Sequence, residues 1–263
     1  MTKQMPWAVA RGISIKKRIS MTLFITSSPF VDGADRAILD PQNSLLMRLQ
    51  QVLPQDPRCL YICSSPDRHD LNCRFGAGVF QIFAQVGMPF ASYWVLDREN
   101  IADAPKLVEE SDLIVLAGGH VPTQNAFFHE ARLPQLLKNY PGVILGISAG
   151  SMNMAEIVYA QPEEPGESGP DYERFIPGLG ITDINILPHY QKVKDYLVDD
   201  LRLFEDITFP DSMGHCFFAL PDGSYIYQDE QIQLLCGKGY SVIDGIMEQI
   251  NHDGEVLDLN EVG

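Results

Sequence analysis

Apolar positions along this chain fall into two alternating patterns. From Met21 onward, short unbroken runs recur: MTLFIT at 21–26, CLYIC at 59–63, SYWVL at 92–96, LIVL at 113–116 and VILGI at 143–147. An unbroken apolar run predicts a strand covered on both faces, since a half-wet strand would alternate apolar and polar residues. Between these runs lie stretches whose apolar residues return every three or four positions. Leu71, Phe75, Val79, Ile82, Phe83 and Val86 make one stripe, and Phe128, Leu133, Leu136 and Leu137 another. They predict amphipathic helices over 71–86 and 125–139 facing a core. Strands alternating with helices imply βαβ units, and hence an α/β fold in which helical layers sandwich a parallel sheet in three layers.

After about residue 215 the rhythm changes. Cys216–Leu220, Ser224–Gln228 and Ile232–Cys236 are close-set strands with Pro221-Asp222-Gly223 and Asp229-Glu230 as turns, which predicts an antiparallel C-terminal extension of the same sheet. The Pro/Glu/Gly-rich stretch from Gln161 to Asp171 is a loop rather than a boundary. No internal repeat occurs, and residues 21–263 are expected to form one domain.

Composition narrows the function. The chain has 263 residues, 45% hydrophobic and 21% charged, as in ordinary globular proteins. No apolar run is long enough to span a membrane. The five cysteines include no C-x-x-C pair, which reads as reduced thiols in a cytoplasmic protein, with no zinc site. A net charge of −16 argues against nucleic acid, whose phosphates require a basic surface. The charge is uneven. Residues 1–20 hold five Lys and Arg and no acid, leaving fourteen basic against 35 acidic side chains, a balance of −21, for the remainder. That basic end is expected to be a disordered extension, dispensable for folding.

The chemistry centres on Gly146-Ile147-Ser148-Ala149-Gly150, which follows a buried strand and precedes a helical run over 152–159. A G-x-S-x-G in strand–turn–helix context is the pattern of a nucleophile elbow, in which a tight turn lifts the serine off the sheet edge. A serine nucleophile needs a base. His189, in Leu187-Pro188-His189-Tyr190, ends a strand-like run over 181–187, which would put it at the carboxyl edge of the sheet, where open α/β folds bind ligands. His69 and His215 are its competitors; His129 and His252 sit in a helix and a terminal turn. The pair Gly118-Gly119 also follows a strand and precedes a helix, so its turn can offer a backbone N–H to an oxyanion together with Ala149.

Three elements in order, LAGGHVPTQNAFF, GISAGSMNMAE and GLGITDINILPHYQ, resemble peptidase family S51, the family of dipeptidase E and cyanophycinase. The resemblance runs from Met21 to about Gly245. It implies a class I glutamine-amidotransferase-like (flavodoxin-like) fold, a Ser148 nucleophile, a His189 base and an oxyanion hole from Ala149 with Gly118 or Gly119. It further implies an acyl-enzyme route for small peptide substrates, with no cofactor and no metal; a homodimer remains open. Where the family more often reads GGNT this chain reads GGHV, which leaves His120 at the lip of the site. Family spacing counted forward from Ser148 points to Glu163 as the triad acid, and counted back from His189 to Glu167, with Asp171 and Glu173 next in line. Arg202 is the position most like the arginine with which aspartyl dipeptidases bind a substrate carboxylate, so peptides with an amino-terminal Asp are a candidate class. The alternatives are another small amide or ester as substrate, or a non-catalytic member that binds a ligand.

Overall fold

The computed structural model describes residues 20–32 and 37–261; the basic stretch 1–19 lies outside them. Five parallel strands form the heart of the molecule: β1 (Thr22–Thr26), β2 (Arg58–Ile62), β3 (Ser92–Leu96), β4 (Leu113–Leu116) and β5 (Val143–Ile147). They stand in the order β1-β5-β4-β2-β3. Every residue of β1 and β4 is buried, as their unbroken apolar sequences require. Strand β3, at the edge, is only partly covered, with Tyr93 exposed.

The crossovers carry helices α1 (Leu45–Val52), α2 (His69–Gln85), α3 (Ala104–Glu110), α4 (Val121–Glu130) and α5 (Leu133–Leu137). Strand order advances from β1 to β3 and then reverses toward β5. Right-handed crossovers therefore place α1 and α2 on one face and α3 to α5 on the other. The expected helix over 125–139 is two helices. The break is at Arg132, whose left-handed backbone (φ 56°) ends one helix before Leu133-Pro134 starts the next. In α2 the stripe is buried at Val79 and Phe83, while Phe75 is exposed.

The C-terminal part corrects the expectation of one extended sheet. Two of the three predicted strands, β8 (Tyr225–Gln228) and β9 (Gln233–Cys236), do extend the central sheet antiparallel beside β1, followed by β12 (Val256–Asp258). The third, β7 (Cys216–Ala219), belongs to a separate four-stranded sheet of order β6-β7-β10-β11. Its other members are β6 (Asn185–Leu187), β10 (Gly239–Ile243) and β11 (Ile246–Asn251). This sheet has its own apolar core, where Tyr159 stacks on Phe217 with ring centroids 4.5 Å apart. The chain passes from one sheet to the other between β7 and β8, through Leu220-Pro221-Asp222-Gly223-Ser224. Backbone bonds from Gly223 to Ser28 and from Ser27 to Ser224 moor this crossing to the end of β1. Among the described residues no helix is long and apolar enough to cross a membrane.

Candidate active site

The carboxyl ends of β1, β4 and β5 meet at one edge of the sheet, and their register decides what meets there. Leu116 pairs with Gly146 and Thr26 with Ile147, so two residues on Gly118 lies beside Ser148, with Ser27 on the other side. A Cβ placed on Gly118 would sit 3.5 Å from that of Ser148. Immediately after β5 the backbone of Ser148 takes φ 52° and ψ −114°, a region in which a side chain costs about 1–3 kcal/mol. The strain persists because the turn is locked. The Ser148 N–H donates to the carbonyls of Thr26 and Ser27, and the Ser151 hydroxyl donates to Thr26 at 2.8 Å. A Cβ on Gly146 would come within 2.5 Å of Ser151 Oγ, and one on Gly150 within 2.4 Å of the Leu116 carbonyl. Both glycines of the pentapeptide are therefore steric necessities. The helix that follows, α6, is only Ala149–Met152, and the chain then turns into a strand at Ile157–Tyr159, so the longer helix expected over 152–159 is absent.

His189 stands just past β6, and its Nε2 lies 2.9 Å from Ser148 Oγ. Its other ring nitrogen, Nδ1, is 2.6 Å from an Asp222 carboxylate oxygen. The expected strand into His189 is shorter than 181–187 and belongs to the second sheet, yet it delivers the imidazole to the central sheet's edge as anticipated. His69 and His215 are elsewhere: the first bonds Asp97, the second stacks on Phe175.

The acid is where the sequence reading is corrected. Neither Glu163 nor Glu167 is the carboxylate on His189. Glu167 instead binds His120 Nε2 at 2.7 Å and accepts the backbone N–H groups of Glu163 and Glu164, so its geometry is spent on folding its own loop. Burial works to raise its pKa, and these donors outweigh it and hold it below the usual carboxylate value. The sequence places Asp222 in a turn, and it is in one; that turn is the crossing between the sheets. Besides His189 it accepts from Ser27 Oγ at 2.9 Å and Gln191 Nε2 at 2.8 Å, and pairs with Lys192 at 2.7 Å. Burial opposes its charge, but His189, Lys192 and Ser27 together hold it well below the ordinary range. The one sequence signal for it was an acid in the turn after a strand, where the carboxyl edge of a sheet gathers ligand-binding groups.

A cavity of about 190 Å³ opens over Ser148 and His189. Gly119 and Glu163 line it, with Val121, Met152, Val193 and Leu203 among its apolar walls. Ala149 begins α6 directly behind the serine, and Gly119 approaches Ser64 so closely that a Cβ would lie 2.4 Å from its Oγ. His120 does not line the cavity. Its Nδ1 bonds Thr123 at 2.7 Å and its Nε2 bonds Glu167, so the side chain ties the 161–171 loop to the start of α4. Arg202 does not line the cavity. Its guanidinium forks onto Asp206 four residues on, at 2.9 and 2.6 Å, which removes the expected carboxylate-binding role. Among the described residues, His120, Glu164 and Glu167 bring potential metal ligands within 4.8 Å of one another, but His120 and Glu167 already satisfy each other.

No family model and no curated protein matches the sequence. Among solved structures, a 1.5 Å crystal structure of a Listeria monocytogenes EGD-e protein, provisionally named peptidase E, superimposes with a TM-score of 0.55. The match covers 88% of this chain and 98% of that one at 15% identity. The chain has that protein's fold. Likeness at this identity carries the architecture, an α/β fold dominated by a parallel central sheet, and the peptidase E-like fold anticipated from the three sequence elements is thereby established.

Proposed function

We propose that this protein is a serine peptidase acting on small peptides, with Ser148 as nucleophile, His189 as base and Asp222 as the acid. The observation that carries the reading is the unbroken chain of hydrogen bonds from Asp222 through His189 to Ser148 at the mouth of a small cavity. Asp222 fixes the imidazole so that Nδ1 holds a proton and Nε2 is free to take the one on Ser148 Oγ. The serine attacks the scissile carbonyl, and the developing oxyanion meets the backbone N–H groups of Ala149 and of Gly118 or Gly119. His189 then gives its proton to the leaving amine, and water repeats the cycle on the acyl-enzyme. The peptidase E name of the structural neighbour supports this reading.

A fluorophosphonate probe, which reacts with activated serines, should label the intact protein at Ser148 and fail to label the Ser148→Ala and His189→Ala variants. Screening a dipeptide library should find turnover in the same preparation. Absence of labelling at Ser148, with the protein folded, would leave a binding protein in an enzyme's fold.

A further inference from the structure

The cavity has a charge pattern that the triad does not use. Among the described residues Glu163 is the one carboxylate on its walls, and no lysine or arginine joins it there. The basic side chains nearby are already committed: Lys192 to Asp222, Arg202 to Asp206 and Arg174 to Asp211. Glu163 itself, by contrast, has no basic side chain among its ion-pair partners in the described residues. Glu163 is exposed as a residue, and it lines the cavity beside Val121 on the same wall as Pro162 and Gln161. Partial loss of water around its carboxylate raises its pKa, with the neighbouring Glu167 and Glu164 adding to the effect and His120 opposing it. An anion so placed gains from a cation that arrives with a ligand. Apart from Ser148 and His189, the rest of the wall is apolar but for Gln161 and Tyr196, and the chain beyond residue 20 carries a balance of −21, which draws cations toward the molecule and repels acids.

Resting on the peptidase reading of this cavity, we propose that Glu163 selects substrates carrying a protonated amine next to the scissile bond. The amine is either the free amino terminus of a short peptide or the end of a basic side chain; the recognition chemistry is the same. A substrate carboxylate, the feature of an amino-terminal Asp, would meet Glu163 with no cation to answer it.

Binding tests this independently of turnover. Calorimetric titration of the Ser148→Ala protein would compare leucinamide (cationic at its amino terminus), N-acetyl-lysinamide (cationic at its side chain) and neutral N-acetyl-leucinamide. At least one cationic amide should bind tenfold or more tightly than the neutral one, and which of them does so identifies the source of the amine. Adding Glu163→Gln should remove that advantage while leaving the thermal midpoint in place. Equal binding of all three, no binding by any, or an advantage that survives Glu163→Gln overturns the proposal. Should leucinamide bind as expected while the fluorophosphonate probe leaves Ser148 untouched, the cation site stands and the hydrolytic reading falls. In an active enzyme, the ratio of kcat/KM for leucine p-nitroanilide to its N-acetyl form should fall at least tenfold on Glu163→Gln if the amino terminus is the source.

Discussion

Asp222 reaches His189 from the opposite side of the imidazole to Ser148, 2.6 Å from Nδ1, and it does so from a turn 33 residues further along the chain. A carboxylate there orients the ring and stabilises its cationic form when it holds the serine's proton. Asp222→Asn keeps the shape and loses the charge, and should lower kcat by about 10⁴. Glu163→Gln and Glu167→Gln, which leave this contact intact, should cost far less in kcat. Steady-state kinetics on the three variants decides whether the acid has been placed correctly.

The same residue makes a prediction about acid stability. Its folded pKa is depressed, so the native state binds fewer protons here than the unfolded chain. The resulting stabilisation is fully present above the unfolded value, about pH 4 for an aspartate. It drains away as the pH falls from there toward the depressed folded value. Urea denaturation at pH 7 and at pH 3 should show the wild type losing more stability between the two than Asp222→Asn does. Parallel losses in both proteins would show that the pairing with His189 and Lys192 contributes nothing to the fold.

Ser148 pays a conformational penalty that glycine does not. Ser148→Gly should abolish turnover and raise the thermal midpoint, by an amount reflecting about 1 kcal/mol, the strain of 1–3 kcal/mol less glycine's greater entropy loss. Ser148→Ala should abolish turnover with little gain, because alanine inherits the strained backbone. A midpoint that falls in Ser148→Gly would mean that the serine hydroxyl contributes more to stability than its backbone costs.

Glycine positions separate by what surrounds them. Gly150→Ala drives a methyl against the Leu116 and Ala117 carbonyls, and loss of soluble protein or a midpoint lowered by many degrees is expected. Gly78→Ala, in the middle of α2 with open space around it, should stabilise by up to about 1 kcal/mol. Differential scanning fluorimetry on the pair checks both directions at once.

The Glu167–His120 contact closes the 161–171 loop over one side of the cavity, with three hydrogen bonds converging on a single carboxylate. Glu167→Gln or His120→Ala should raise KM severalfold with a smaller change in kcat, since the wall moves while the triad stays. Limited proteolysis should cut the variants within the loop faster than the wild type. An equal fall in kcat for both would place the pair in the chemistry itself.

How much of this was written in the sequence depends on range. The buried strands and the elbow are local: unbroken apolar runs of four or five residues, and a serine between glycines that no larger residue could replace. His189 was legible because it lies two residues past the end of a strand. The acid was not, because family spacing counts residues along the chain while the contact is made across space, by a turn that looked merely connective. Arg202 misled for a related reason. Its position suggested a role, and a carboxylate four residues away had already taken the guanidinium. Assigning β7 to the central sheet failed because strand pattern carries no information about which edge a strand joins.

That second sheet bears on how the proposed triad is assembled. Ser148 hangs from the central sheet, His189 follows a strand of the smaller one, and Asp222 lies where the chain passes between them. The bonds that moor His189 and Asp222 beside Ser148 come from its neighbour across the sheet, Ser27, and span long intervals: 162 residues from Ser27 to His189 and 195 from Ser27 to Asp222. Contacts so distant in sequence form late, after the loops between them have been closed. During refolding, helical circular dichroism should recover before hydrolysis does, and the interval between them would time the docking of one sheet on the other. A chain ending at residue 223 would hold Ser148 and His189, the proposed nucleophile and base, yet lack the strands beyond it that flank Asp222.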